Sequence, residues 1–214
     1  MSWHATTRPP AAYVIIGLTV LAYFFQSAAP MDALRVFALW PVSTPSAMRV
    51  GSALLETGFQ PWQLVSYGLL HGGLGHLFFN MFAFYMFGVP IERAWGTQRF
   101  VIFYVVCLIG AGMVQLLVAA LSGEVYPTIG ASGAVFGILL AFGMMYPNTQ
   151  LMLLFPPIPI KAKWFVLGYG ALTLFMGITG TMAGVAHFAH LGGMLFGLVL
   201  ILYWGRKDYQ RRHF

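Results

Sequence analysis

A serine and a histidine, each set among glycines, lie in two apolar stretches of the chain. Ser132 stands in the sequence Gly-Ala-Ser-Gly at 130–133, and His190 begins His-Leu-Gly-Gly at 190–193. A serine hydroxyl is a poor nucleophile until a neighbouring base removes its proton, and a neutral imidazole can do so. These residue types indicate a nucleophile, Ser132, with His190 as its general base.

Two further polar side chains, His76 and Asn80, could complete such a site. They are four residues apart in an apolar stretch, so both point from one face of a helix. Attack by a serine on a carbonyl creates an oxyanion, which needs preorganised hydrogen-bond donors. His76, Asn80 and the backbone N–H of Ser132 are suitable donors for that oxyanion hole.

A catalytic triad would also need a carboxylate beside the histidine. The acidic residues of the chain all map to predicted loops or tails; they are Asp32, Glu56, Glu92, Glu124 and Asp208. The sequence therefore predicts a Ser-His dyad.

The composition is that of an integral membrane protein. Of the 214 residues, 59% are hydrophobic and only 7% are charged, whereas roughly a quarter of a soluble domain is charged. Ionisable side chains in hydrocarbon are costly and usually face a bundle interior or a water-filled cavity, where they mark function. The net charge of +6 comes from basic residues spread over short loops and a tail, so we expect no nucleic-acid partner.

The apolar runs predict an all-α membrane protein with six transmembrane helices. The candidate spans are roughly 11–29, 68–89, 100–121, 132–147, 164–180 and 184–204. We expect one transmembrane domain over 11–204, with a short cytoplasmic segment at 1–10 and a basic cytoplasmic tail at 205–214. The uncharged, small-residue loop at 177–184 could move as a gate.

The basic residues predict the orientation of the bundle. If both termini are cytoplasmic, nine of the 11 Lys and Arg residues lie inside and two, Arg35 and Arg49, lie outside. Ser132 then lies at the outer end of the fourth span, and His190 about 9 Å below the outer end of the sixth. We expect a bacterial plasma membrane, since the chain is small and has no evident transit segment.

Small residues recur at helical spacing beside both candidate catalytic residues. Gly133 and Gly137 are four residues apart, as are Gly193 and Gly197. Small residues at this spacing let two membrane helices approach closely. If these two faces meet, Ser132 and His190 come within hydrogen-bond reach.

These motifs resemble those of the rhomboid intramembrane serine proteases. The family's Gly-x-Ser-Gly motif stands at 130–133, its His-x-x-Gly-x-x-x-Gly motif at 190–197, and its paired histidine and asparagine at His76 and Asn80. The resemblance implies a six-helix rhomboid-like bundle, a catalytic dyad of Ser132 and His190, and oxyanion stabilisation by His76 and Asn80. It also implies a serine endopeptidase that cleaves membrane proteins in or near their transmembrane segments, with no cofactor and no metal.

Three positions bear further on the resemblance. The Trp-Arg dipeptide common in the first outer loop of relatives is Trp62-Gln63 here, which puts charge-based anchoring of that loop in doubt. A tyrosine often found one turn after the serine is Phe136, whose ring can still pack on His190. The family's Glu-xxx-Gly element is similar to 92–96, which implies a structural role for Glu92.

Other interpretations stay open from the sequence. Ser132 could serve only as a helix N-cap. The histidines at 71, 76, 187 and 190 could bind a metal or haem, although no acidic or thiolate ligands accompany them. The protein could also be a catalytically inactive relative that binds membrane clients, or a channel or transporter that uses the polar cavity.

Overall fold

The computed structural model describes residues 9–45, 47–50, 52–56, 58–153, 156–181 and 186–213, and this part of the chain is mostly helical. The helices are α1 (Pro10–Ala28), α2 (Pro30–Phe37), α3 (Gln63–Ser66), α4 (Leu74–Ala83), α5 (Val89–Trp95), α6 (Thr97–Ser122), α7 (Ser132–Met145), α8 (Ala162–Thr179) and α9 (His187–His213). A 3-10 turn at Tyr67–Leu69 follows α3, and a π-helical turn at Phe84–Gly88 joins α4 to α5.

Five helical stretches are long and apolar enough to cross a membrane. They are α1, the continuous run Leu74–Trp95, α6, α8 and the part of α9 from His187 to Arg206. The fourth predicted span corresponds to α7, which is apolar but has only 14 residues. At about 1.5 Å per residue α7 is roughly 21 Å long, less than the roughly 30 Å of a hydrocarbon core. The protein is therefore a multi-pass membrane protein with an apolar helix near each predicted span.

The second predicted span, 68–89, is displaced toward the C-terminus. The chain is extended at Leu70, and the long helix begins at Leu74 and continues to Trp95. Gly72 and Gly73 precede it, and glycine favours a break because it gains no packing and loses much backbone freedom in a helix. As a result, His76 and Asn80 lie in the first two turns of α4.

Two short hairpins interrupt the helical pattern, and the sequence analysis did not predict them. The first pairs β1 (Ala47–Val50) with β2 (Ala53–Glu56), and the second pairs β3 (Gln150–Met152) with β4 (Pro159–Lys161), both antiparallel. The second lies between α7 and α8, where the prolines indicated a connection. Strands of three or four residues are too short for their period to stand out in a sequence.

Helix α7 lies at the centre of the bundle. Ten of its 14 residues are buried, and it packs against α6, α8, α9 and the π-helical turn. In contrast, α1 and α8 bury few residues and present large apolar side chains outward. Because other helices surround α7, its short length leaves little of its backbone facing lipid.

The segment between α1 and α4 is anchored by Gln63, a neutral side chain. Gln63 is fully buried, and its Oε1 accepts hydrogen bonds from the backbone N–H groups of Gln60 and Trp40, both at 3.2 Å. Its Nε2 donates to the carbonyl oxygens of Gly58 at 3.2 Å and Val36 at 3.4 Å. Gln63 therefore anchors this segment without a charge.

Glu92 joins the start of α1 to the rest of the bundle. Its carboxylate is fully buried and accepts hydrogen bonds from the backbone N–H groups of Ala11, at 3.1 Å, and Ala12, at 2.8 Å. The Thr97 hydroxyl donates a third, at 2.7 Å. The expectation that Glu92 lies in a loop was wrong, since it lies within α5. A carboxylate at a helix N-terminus is stabilised by the unpaired N–H groups and the helix dipole.

Replacing Glu92 tests this anchor. We expect Glu92→Gln to lower the free energy of unfolding by about 1–3 kcal/mol, because an amide has one acceptor oxygen and leaves a buried donor unpaired. Asp32→Asn is the control, since Asp32 forms an exposed pair with Arg35 at 3.9 Å, a type of interaction that contributes little to stability. Thermal unfolding in detergent measures both variants, and equal midpoints would contradict a structural role for Glu92.

Candidate active site

The loop before α7 places Ser132 beside α4. The Gly130 N–H donates to the Tyr67 carbonyl oxygen at 2.9 Å, which ties the loop to the 3-10 turn. Gly130 has a φ of +118°, a backbone conformation that favours glycine. A Cβ atom at this position would also lie 2.9 Å from Cε1 of His76. Both the backbone and the available space therefore require glycine at 130.

Ser132 and His190 are in direct contact. Ser132 is the first residue of α7, and its Oγ lies 2.6 Å from Nε2 of His190, in the first turn of α9. The predicted hydrogen-bond reach between the two side chains is confirmed. Ala131 occupies the N-cap, where no side chain caps the helix, so Ser132 does not act as an N-cap.

Glycines allow α7 and α9 to come this close. A Cβ atom added to Gly193 would overlap the backbone of Gly133, and one added to Gly137 would lie 2.9 Å from the carbonyl oxygen of Gly193. A Cβ atom on Gly197 would lie 3.5 Å from the Cα of Gly137. The two small-residue faces therefore meet, which is the condition under which the sequence brought Ser132 and His190 within hydrogen-bond reach.

The close contact gives a testable consequence for stability. We expect Gly193→Ala to lower the free energy of unfolding by about 1–3 kcal/mol, because the added methyl group forces α7 and α9 apart. Gly205→Ala is the matched control on the same helix, since a Cβ atom there meets nothing within 4 Å. The midpoint temperatures of thermal unfolding in detergent compare the two variants. A midpoint for Gly193→Ala that is no lower than that of Gly205→Ala would refute the close packing.

His76 faces the same small space as Ser132. A Cβ atom built on Gly130 would lie 3.0 Å from His76 Nε2 and 3.8 Å from Ser132 Oγ. His76 Nδ1 accepts a hydrogen bond from the Gly72 backbone N–H at 3.2 Å. A neutral imidazole that accepts at one nitrogen carries its proton on the other, so this bond makes Nε2 a donor toward that space.

Asn80 lies one turn further along α4 and is buried. Its Nδ2 donates to the backbone carbonyl oxygen of His76 at 2.9 Å. This bond fixes the plane of the amide and uses one of its two N–H groups. The backbone of His76 thus links Asn80 to Ser132, His190 and His76.

Phe136 packs flat on His190, a contact that a phenylalanine at this position allows. The two ring centroids are 4.3 Å apart, and the ring planes differ by 6°. Phe136 is buried within α7, one turn after Ser132. One face of the imidazole is therefore covered by a ring from the helix that carries the serine.

Comparison with known proteins bears on this arrangement. A family model described as a rhomboid domain matches residues 58–207, a range that contains Ser132, His190, His76 and Asn80. The chain belongs to the rhomboid family.

Relatives of this rhomboid occur in plants, fungi and bacteria. RHOMBOID-like protein 4 of Arabidopsis thaliana is 32% identical over 143 residues, which cover 67% of this chain and 34% of that protein. Rhomboid protein 1, mitochondrial, of Saccharomyces cerevisiae is 24% identical over 235 residues, covering 96% of this chain and 68% of that protein. Rhomboid protease GlpG of Serratia proteamaculans is 25% identical over 203 residues, covering 92% of this chain and 63% of that protein. The chain thus spans between a third and about two thirds of the length of these relatives.

A polar pair that the sequence did not predict holds the loop of this rhomboid before Ser132. Gln115 is buried near the end of α6, and its Nε2 donates to the Tyr126 hydroxyl oxygen at 3.1 Å. Burial raises the pKa of the Tyr126 phenol, which keeps it a neutral partner. A glutamine inside an apolar helix was the signal that could have indicated this contact.

His71 and His187 each lie beside one of the two site histidines of the rhomboid. His71 is buried, and its ring centroid lies 5.0 Å from that of His76. His187 lies 6.4 Å from His190 by ring centroid, and its Nε2 pairs with the Thr181 carbonyl oxygen at 3.1 Å. Within the described part of the chain, no three His, Cys, Asp or Glu residues are grouped so that they could hold a metal ion.

The predicted gate at 177–184 is only partly described. Helix α8 extends to Thr179, so residues 177–179 belong to the helix and not to a loop. Residues 182–184 lie outside the described residues. The mobility of this segment stays a prediction.

Proposed function

We propose that this rhomboid is an intramembrane serine endopeptidase that hydrolyses peptide bonds in or near the transmembrane segments of membrane proteins. The observation that carries the proposal is the 2.6 Å contact between Ser132 Oγ and His190 Nε2. The name of the relative GlpG, a rhomboid protease, supports the same activity. Family membership supports a membrane protein as the substrate.

The dyad can carry out acyl transfer because His190 accepts the proton of Ser132 and then donates it to the leaving group. Ser132 Oγ attacks the peptide carbonyl carbon while its proton passes to His190 Nε2. The imidazolium then protonates the leaving amine as the carbon–nitrogen bond breaks, which leaves an acyl enzyme on Ser132. A water molecule, deprotonated by His190, hydrolyses the ester and regenerates the serine.

His76, Asn80 and the Ser132 backbone N–H are the proposed oxyanion donors. The Nε2–H of His76 faces the space beside Ser132, as argued from its Nδ1 bond to Gly72. The Ser132 N–H is in the first turn of α7, where backbone N–H groups have no partner within the helix. Donors already in place stabilise the developing negative charge without reorganisation during the reaction.

We further propose that all six apolar helices cross the membrane, with both termini in the cytoplasm. The excess of basic residues on the inner side supports this topology. The transmembrane domain then spans 11–204, flanked by a cytoplasmic segment at 1–10 and a basic tail at 205–214, in a bacterial plasma membrane. Ser132, at the outer end of the short α7, comes close to the extracytoplasmic surface, from which water can reach the dyad.

A substrate helix must unwind before its backbone can be attacked. In a helix each backbone carbonyl is hydrogen bonded, and opening it within lipid is costly. We therefore expect cleavage sites with small or helix-weakening residues such as glycine.

Cleavage by variants of the dyad tests the proposal. In proteoliposomes containing a model type I membrane segment, we expect wild type to cleave the segment and Ser132→Ala and His190→Ala to lose cleavage by at least about 10³-fold. Ser27→Ala is the matched control, since the Ser27 hydroxyl is exposed and donates to the carbonyl oxygen of Tyr23 on its own helix. Full cleavage by either dyad variant would refute the mechanism.

Labelling of Ser132 separates this activity from its alternatives. A serine-reactive fluorophosphonate should label wild type and not Ser132→Ala. An unlabelled wild type that still binds membrane proteins would favour an inactive client-binding relative. Solute flux that persists in Ser132→Ala would favour a channel or transporter.

The oxyanion donors predict a different kinetic effect. We expect Asn80→Ala to lower kcat by about 10²- to 10³-fold with little change in KM, because the lost bond forms mainly in the transition state. Asn148→Ala is the control, since Asn148 is exposed between α7 and β3. Unchanged kcat in Asn80→Ala, measured by steady-state cleavage, would exclude Asn80 from the oxyanion hole.

A further inference from the structure

Four aromatic rings from three helices form a continuous stack that ends on His190. Phe136 covers His190 at 4.3 Å between centroids, and Tyr169 covers the other side of Phe136 at 4.9 Å with a 25° angle between planes. Phe165 stacks on Tyr169 in turn, at 5.7 Å and 26°. The stack therefore runs from α8, through α7, to the imidazole on α9.

The imidazole needs a group that fixes its orientation. A base that activates a nucleophile is usually oriented by a third group, such as the carboxylate of a triad. The carboxylates of Asp32 and Glu92 are engaged elsewhere, with Arg35 and with the start of α1. The flat contact with Phe136 limits rotation of the His190 ring and keeps Nε2 directed at Ser132.

Phe136 can hold that position only while its own ring is held. The residue is buried, whereas the side chain of Tyr169 is 42% exposed at the outer surface of the bundle. Tyr169 is thus the wall that separates Phe136 from the surroundings of α8. Without the Tyr169 ring, Phe136 gains room to turn away from His190.

We propose that Tyr169 is a positioning residue for the dyad, which acts by holding Phe136 flat against His190. The inference rests on the proposed function, because it concerns the base of that reaction. This role couples the position of α8 to the geometry of Ser132 and His190. Since Tyr169 lies on α8, a displacement of α8 loosens the stack and misaligns His190 from Ser132.

The aromatic ring of Tyr169, and not its hydroxyl, is the part that matters. We expect Tyr169→Leu to be labelled by a fluorophosphonate at Ser132 about 2- to 10-fold more slowly than wild type, the range typical of a lost aromatic pair. Tyr169→Phe should restore the wild-type rate. Phe175→Leu is the matched control, since it is the same type of change on α8 at a side chain that is 61% exposed.

Steady-state cleavage gives a second measurement. We expect Tyr169→Leu to lower kcat with KM unchanged, since the stack aligns the base and does not contact substrate. Because both residues act on one ring, Tyr169→Leu should have little further effect in a Phe136→Leu background. Additive losses from the two changes would overturn the inference.

The outcomes separate this inference from the proposed function. If wild type is neither labelled nor active, both are overturned. If wild type is labelled and Tyr169→Leu is labelled as fast as Phe175→Leu, only the role of Tyr169 is overturned. Should Tyr169→Leu fail to fold, Tyr169→Met fills similar volume without a ring, and a wild-type labelling rate in that variant would likewise refute the role.

Discussion

The close contact between α7 and α9 is the constraint on which the rest of the structure depends. Lipid offers no hydrophobic force that drives helices together, so tight packing and interhelical hydrogen bonds must hold them. The backbones of Gly133 and Gly193 meet where any side chain would collide. Ser132 is next to one of these glycines, and His190 is one turn from the other. The crossing that packs the helices therefore also brings the hydroxyl and the imidazole to 2.6 Å.

Polar side chains elsewhere in the bundle bind the ends of helices and the loops between them. Glu92 accepts hydrogen bonds from the first N–H groups of α1, and Gln63 bonds to backbone groups of the segment between α1 and α4. Gln115 donates to Tyr126 in the loop that leads to Ser132. Each of these three is buried and hydrogen bonded, as a polar group away from water must be. Gln115 acts on the loop that leads to Ser132, whereas Glu92 lies at the end of the run Leu74–Trp95 that is far from His76.

The sequence predicted the helices because a membrane imposes long apolar runs, and it predicted the Ser132–His190 contact because glycines at four-residue spacing mark close packing. It placed the start of the second span too early, because Leu69 and Leu70 extend the apolar pattern ahead of Gly72 and Gly73, where the helix does not form. It also missed the hairpins and Tyr169. Helix α8 is apolar on all sides, so its pattern does not reveal which face meets α7. That rotation is set by packing, and so is the contact of Tyr169 with Phe136.

The way His190 is oriented suits a site surrounded by lipid-facing helices. A carboxylate beside the imidazole would have to be desolvated, and the attraction it gains often fails to compensate for that loss. Aromatic rings orient the imidazole by shape alone and are already favourable in an apolar interior. Glu92, in contrast, is buried as a carboxylate where two backbone N–H groups at the start of α1 and a threonine hydroxyl stabilise it. The bundle thus buries a carboxylate where a helix end can stabilise it, whereas the ring that lies flat on His190 is uncharged.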